Sequence, residues 1–165
     1  MKYTCIKTVA IYLLATLPLL ANASTHKVKI THSVMVGDGI AKFIPEGFDA
    51  QKIPSFAIEK EPREQGALPA DWVLVPEFSL TDGKANASLT VPEGTSIYGG
   101  GEVTGSLLRN GKTIKLWNTD SGAYGVDKGT RLYQSHPWMM GVRKDGTAFG
   151  ILFDTTWKAE LSSTD

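Results

Sequence analysis

An all-β chain folded as a β-sandwich is what this sequence predicts. Three observations carry that expectation. Short runs alternate apolar with polar residues, Asp-Gly and Asn-Gly turn signals separate them, and no helical periodicity of useful length interrupts the series. Many short strands at this spacing argue for two packed sheets.

Taken in order, residues 26–36 alternate, with Val28, Ile30, Val34 and Val36 on one phase, and Gly37-Asp38-Gly39 ends the run. Residues 40–44 read as the return strand, stopped by Pro45, and 56–58 as another short one. Residues 59–69 hold charges, two prolines and a glycine, and read as a connecting loop. Extended segments at 72–75 and 77–80 flank Pro76. Asp82-Gly83 is a turn signal, and 87–91 alternates again before Pro92-Glu93-Gly94. Asn110-Gly111 is the best hairpin signal, with a strand at 113–117 after it. Strands at 131–142, 147–153 and 157–161 complete the series, Asp145-Gly146 turning between the first two. Residues 105–109 carry only a hint of helix.

Residues 1–23 read as an export leader. Lys2 and Lys7 precede an apolar run over 9–20, and Ala21-Asn22-Ala23 puts small residues where a signal peptidase inspects, with Ser24 next. The run is shorter than the roughly 20 residues a membrane span needs, so no permanent membrane anchor is expected. The remaining 24–165 form one domain, exported to a periplasm or the extracellular space. The single cysteine, Cys5, leaves with the leader, so packing rather than disulfides must hold the fold. Charge is balanced, 17 basic against 17 acidic residues, and no basic stripe exists, so nucleic acid is not an expected partner.

Chemistry is sparse at this level. Glu102, Asp120, Asp127, Asp145 and Asp154 are the candidate acids, and no spacing among them implies a catalytic pair. Asp145 sits in a turn and reads as a backbone partner, Asp127 as a solvated charge. Tyr98-Gly99-Gly100-Gly101-Glu102 lacks the Gly-Lys-Ser/Thr ending of a phosphate loop and reads as a tight turn whose backbone passes under neighbouring side chains. His26, His32 and His136 are scattered, so neither a metal nor a cofactor is expected. Trp72, Trp117, Trp138 and Trp157 read first as core and second as sugar-stacking surfaces.

Four segments resemble a known family in the right order. Tyr98-Gly99-Gly100-Gly101-Glu102 resembles the Tyr-Gly-x-Gly-Glu segment of family 31 glycoside hydrolases, and Leu116-Trp117-Asn118-Thr119-Asp120 resembles that family's substrate-contacting segment. Leu132 to Pro137 is similar to its Tyr-x-Ser-His-Pro strand, and Asp145 to Thr155 to its Asp-Gly…Gly-Ile…Asp strand. Gly100, where a bulkier residue is usual, and Trp138, where Phe is commoner, depart from the pattern.

The resemblance covers 97–161. It implies a mutarotase-like β-sandwich that precedes a catalytic (β/α)₈ barrel in an α-glycosidase that retains anomeric configuration. It assigns Asp120 to substrate contact, with Tyr133 and Tyr124 lining the same pocket, and gives Glu102, His136 and Asp154 bracing roles. A turn-forming role is the competing reading of Asp120, since Ser121-Gly122 follows it. The expected partners are an α-linked carbohydrate and the barrel itself, toward which the sandwich should turn an apolar face. Because 165 residues hold no barrel, which needs about 250, the chain is expected to be an amino-terminal fragment, incomplete at its carboxyl end and without catalytic residues. A stand-alone carbohydrate-binding sandwich is the alternative.

Overall fold

The computed structural model describes residues 24–49 and 63–164, with the backbone alone for 7–13, 126 and 127. Its strands in chain order are β1 (Lys7–Leu13), β2 (Thr25–Val28), β3 (Ile30–Gly37), β4 (Ile40–Pro45), β5 (Glu77–Thr81), β6 (Lys84–Val91) and β7 (Ser96–Gly101). β8 (Thr113–Leu116), β9 (Ser135–Val142), β10 (Ala148–Leu152) and β11 (Ala159–Ser163) follow. A six-stranded sheet runs β2-β5-β6-β1-β11-β8, a three-stranded sheet runs β10-β9-β7, and β3-β4 form a separate ribbon. Every ladder among the described residues is antiparallel, so the all-β expectation holds.

The core shows how the sheets stack. Ile114 and Leu116 of β8 and Ala159 and Leu161 of β11 pack with Ile97 of β7 and Met139 of β9, and Val103 and Phe153 close over them. Period-2 alternation produces this layer: β9 buries Pro137, Met139 and Gly141 and exposes His136, Trp138 and Met140. Complete burial of Leu161 contributes about 1.5–3 kcal/mol relative to exposure. The tryptophans are not that core. Trp117 and Trp138 are half exposed, and Trp72 and Trp157 are only partly covered, which corrects the first reading of them. Aliphatic side chains fill the narrow gap instead. The outer face of β9 and β10 leaves Trp138, Met140 and Leu152 exposed.

Several expected elements moved. Residues 26–36 form two strands, not one: β2 joins β5, whereas β3 pairs with β4, and the chain changes sheets at Lys29. Residues 72–75 make no ladder; there the Trp72 indole donates to the Leu74 carbonyl at 2.9 Å. Residues 131–134 are irregular, so the strand starts at Ser135, and 105–109 is not helical. The short strand at 56–58 lies outside the described residues.

Turn chemistry was informative where both central residues take positive φ. Asp82 and Gly83 have φ of 51° and 71° between paired Thr81 and Lys84, a two-residue turn matched to strand twist. Asn110-Gly111 turns, with the Lys112 N–H donating to Arg109 at 3.1 Å, yet it joins no hairpin, because β8 pairs with β11. The glycine segment is a strand rather than a tight turn. It bulges between Gly99 and Gly101, and Gly100 (φ 83°) does pass beneath Ile114, whose Cδ1 lies 2.7 Å from where a Cβ would stand.

Seven of the residues read as leader, Lys7–Leu13, run as β1 inside the larger sheet. A run that alternates apolar residues, with Thr8, Val9 and Ile11 β-branched, has strand propensity as well as leader character. Among the described residues no helix is long and apolar enough to cross a membrane.

Candidate functional site

The loop after β8 lies beside the irregular segment before β9. The Thr119 N–H donates to the Leu132 carbonyl at 2.8 Å, which sets Asp120 next to Tyr133. The Glu102 N–H donates to Gln134 O at 2.8 Å, and Glu102 Oε2 accepts the Tyr133 N–H at 3.2 Å. Glu102, directly after β7, thus holds the 133–134 backbone, its main chain on Gln134 and its side chain on Tyr133, the bracing role read for it.

The Asp120 carboxylate, by hydrogen bonding and then by its charge, raises the Tyr133 pKa above its ordinary value; Glu102 and Tyr124 push the same way. The Tyr133 hydroxyl also donates to the Ser121 carbonyl in a long bond of 3.5 Å. Asp120 and Tyr133, both exposed, are thus neighbours across two loops.

Tyr124 arrives by a strained route. A 3₁₀ turn spans Gly122–Tyr124, with Ala123 and Tyr124 both at positive φ, 51° and 59°. The Tyr124 N–H closes the turn on Ser121 O at 3.2 Å, and Ser121 is buried while Tyr124 is 57% exposed. The turn therefore closes on the Ser121 carbonyl with no side-chain cap. Asp120, Tyr133 and Tyr124, the three residues singled out from the sequence, lie near one another. Sequence reasoning missed Ser121, the buried anchor of the turn; its place before Gly122 was the one available signal.

A cleft of about 310 Å³ opens behind this loop, lined by Trp117, Asn118, Ser135, Thr155 and Trp157 among others. Lys158 Nζ sits 5.8 Å from the Trp117 ring centre, a cation over an exposed aromatic face. Elsewhere Asp145 Oδ1 accepts from the Thr147 N–H at 2.9 Å and its hydroxyl at 2.7 Å, the turn role read for it. His136 and Asp154 are exposed. His32 pairs with Glu64 at 2.7 Å in the β3-β4 ribbon, away from His136. The Asp127 side chain lies outside the described residues. Among the described residues no three His, Cys, Asp or Glu side chains cluster as a metal site would require. Chemically, the loop offers an exposed carboxylate acceptor beside one phenol, with a second phenol near.

Residues 51–161 match the glycosyl hydrolase 31 N-terminal galactose mutarotase-like domain. The chain belongs to that family. Membership extends the resemblance read over 97–161 back to residue 51, so β5 and β6 fall inside it, and the all-β sheets are those of a mutarotase-like β-sandwich. The domain is 48% identical over 66 residues to alpha-glucosidase 2 of Bacillus thermoamyloliquefaciens, covering 40% of this chain and 8% of that protein. It is 42% identical over 80 residues to the alpha-glucosidase of Hordeum vulgare, covering 47% and 9%. The crystal structure of a family 31 alpha-glucosidase from Bacteroides thetaiotaomicron is 84% identical, covering 44% of this chain and 14% of that one, with a TM-score of 0.35. This family 31 domain thus spans less than a tenth of the curated relatives' length.

Proposed function

We propose that this chain is the amino-terminal sandwich of an exported, retaining α-glycosidase, to which it contributes a sugar-contacting loop while the catalytic carboxylates lie elsewhere in the polypeptide. The observation that carries the reading is the Thr119 N–H bond to Leu132 O at 2.8 Å, which brings exposed Asp120 beside exposed Tyr133, with Tyr124 also exposed on the same loop. An exposed carboxylate beside a phenol has lone pairs for sugar hydroxyls, and such charge-assisted hydrogen bonds are the strong ones. The relatives named alpha-glucosidase support an α-linked glucoside as the substrate class. The 165 residues alone are expected to hydrolyse nothing. Asp120→Ala in the α-glucosidase-length polypeptide should cost about 1–3 kcal/mol in kcat/KM. An unchanged kcat/KM removes Asp120 from the substrate pocket.

A second reading, a sugar-binding sandwich that acts without a barrel, is favoured by the cleft beside the half-exposed Trp117. Calorimetry of the isolated chain with an α-linked glucose oligosaccharide separates the two. Binding that Trp117→Ala abolishes supports the second, and no binding retires it.

A further inference from the structure

The loop between β8 and β9 is pinned at three places. Its neck closes where the Thr119 N–H donates to Leu132 O at 2.8 Å, and its near end turns on buried Ser121, whose carbonyl accepts the Tyr124 N–H at 3.2 Å. The third place is the far end. There the Thr104 N–H donates to Gly129 O at 3.0 Å, and the Thr104 hydroxyl is shared between Lys128 O and Gly129 O, each at 3.2 Å. Gly129 is buried between exposed Lys128 and Thr130, and a Cβ there would stand 2.4 Å from Thr104 Cγ2. Thr104 therefore grips the loop with its backbone, its hydroxyl and its methyl.

What this clasp holds is strained backbone. Ala123, Tyr124 and Lys128 take positive φ of 51°, 59° and 54°, a region that residues with a Cβ occupy at a cost. Such strain persists only where the surroundings over-determine it. At Lys128 the determining contact is the Thr104 hydroxyl, bonded to the carbonyl of the strained residue itself.

Thr104 can act as a clasp because its own segment is fixed on both sides. Two residues earlier, Glu102 bonds Gln134 O and the Tyr133 N–H. Two residues later, Ser106 O accepts from the buried Arg109 guanidinium at 2.7 Å. Residues 102–106 thus hold Tyr133 at one point and the far end of the Tyr124 loop at another. The Thr104 side chain is exposed and stands outside the core cluster, so core packing gives it no task.

We propose that Thr104 is a positioning residue: by fixing Lys128 and Gly129 it keeps residues 121–129 on the strained course that sets Tyr124 near Asp120 and Tyr133, and so sets how tightly the loop holds an α-linked glucose oligosaccharide. The sugar half of this statement rests on the reading of the loop as a substrate contact; the clasp rests on the geometry alone. A phenol that touches the sugar away from the catalytic carboxylates binds ground and transition states alike. Its displacement therefore raises KM and leaves kcat.

The test uses the α-glucosidase-length polypeptide with fluorotyrosine at position 124 and an α-linked glucose oligosaccharide as substrate. Thr104→Val removes the hydroxyl at nearly constant volume. It should shift the Tyr124 fluorine resonance and raise KM about tenfold at unchanged kcat. Thr104→Ser keeps the hydroxyl and should restore both the resonance and KM. In a Tyr124→Ala background Thr104→Val should change KM no further, because the two residues act as one unit. A fluorine resonance that Thr104→Val does not move, or a KM effect of equal size with and without Tyr124, would overturn the proposal. Failure of the sugar reading looks different. Asp120→Ala then leaves kcat/KM unchanged while the resonance still follows Thr104→Val and Thr104→Ser, which overturns the sugar half and supports the clasp.

Discussion

The N–H of Tyr133 donates to Glu102 Oε2 at 3.2 Å, while its phenol lies beside the Asp120 carboxylate. Tyr133 therefore stands between the loop after β8 and Glu102, the residue that follows β7. Its side chain neighbours one acid and its backbone bonds another.

Asp120 sets how Tyr133 titrates. The ionised carboxylate accepts from the neutral phenol and repels the phenolate, so the tyrosine pKa lies above 10.0. The folded value is raised, so the associated stability is complete below pH 10 and is lost as pH rises through the raised value. Carbon NMR of labelled tyrosines should show Tyr133 ionising later than a free tyrosine, and Asp120→Asn should bring its midpoint down. A midpoint unmoved by Asp120→Asn would mean the two groups are not bonded.

At the opposite sign stands Asp145. Its bonds to the Thr147 hydroxyl and N–H, aided by Arg143, lower its pKa below 3.8. Stability from this turn is present above that value and fades as pH falls through the lowered one. Full exposure keeps the effect small. Asp145→Asn should leave Tm at pH 7 nearly unchanged, because an amide oxygen still accepts from Thr147, but flatten the fall in Tm below pH 4. Parallel acid limbs for the two proteins would remove the carboxylate from the account.

Asn110 substitutes for a missing ladder partner of β7. Its Oδ1 accepts the Ile97 N–H and its Nδ2 donates to the Thr95 carbonyl, both at 2.9 Å, and Ile97 and Thr95 are each 1% exposed. Asn110→Ala strands a buried donor and acceptor and should cost about 1–3 kcal/mol in urea unfolding. Asn110→Asp keeps the acceptor and loses the donor, so it should fall between. Equal stability of all three would show that water serves these groups instead.

How much of this was readable follows from the range of each signal. Asp82-Gly83 and Asp145-Gly146 announced their turns because positive φ and local carboxylate bonding are properties of the residues themselves. The segment at 96–101 did not announce a strand. Three glycines carry no alternation, and only the neighbours above and below them, Ile114 and Trp138, make that backbone extended. The same limit hid the switch of sheets at Lys29, since alternation tells which face a residue takes and not which sheet receives it. At the site, Asp120, Tyr133 and Tyr124 came from the resemblance alone. Their meeting depends on Thr119 bonding to Leu132, a tertiary contact with no local trace.

Gly100 marks where this chain departs from the family pattern, and the structure supplies a reason. At φ 83° a side chain is strained, and a Cβ there would press on Ile114, which is buried in the core. Gly100→Ala should therefore destabilise by about 1–3 kcal/mol through overpacking. Adding Ile114→Val, which removes the Cδ1 in the way, should recover part of the loss. Two losses that simply add would assign the cost to backbone strain alone.

Arg109 is a buried cation held by carbonyls. It is 5% exposed, its Nε donates to Gly99 O at 3.1 Å and one terminal nitrogen to Ser106 O at 2.7 Å, and desolvation lowers its pKa. The Arg109 N–H also donates to Ile97 O at 2.7 Å, so backbone and side chain together fasten the 102–110 loop to β7. Arg109→Lys supplies one compact ammonium where two separated carbonyls need a planar fork. It should therefore lose about 1.5–3 kcal/mol, the scale of a hydrogen bond to a charged group. Arg109→Ala should cost at least as much, since it frees both carbonyls and removes the packed stem. Hydrogen exchange separates a fastening role from simple core filling. Fastening predicts faster exchange at Leu108 and Glu102 in Arg109→Lys while Leu161 in β11 stays protected, whereas uniform acceleration across both sheets would make Arg109 part of the global core.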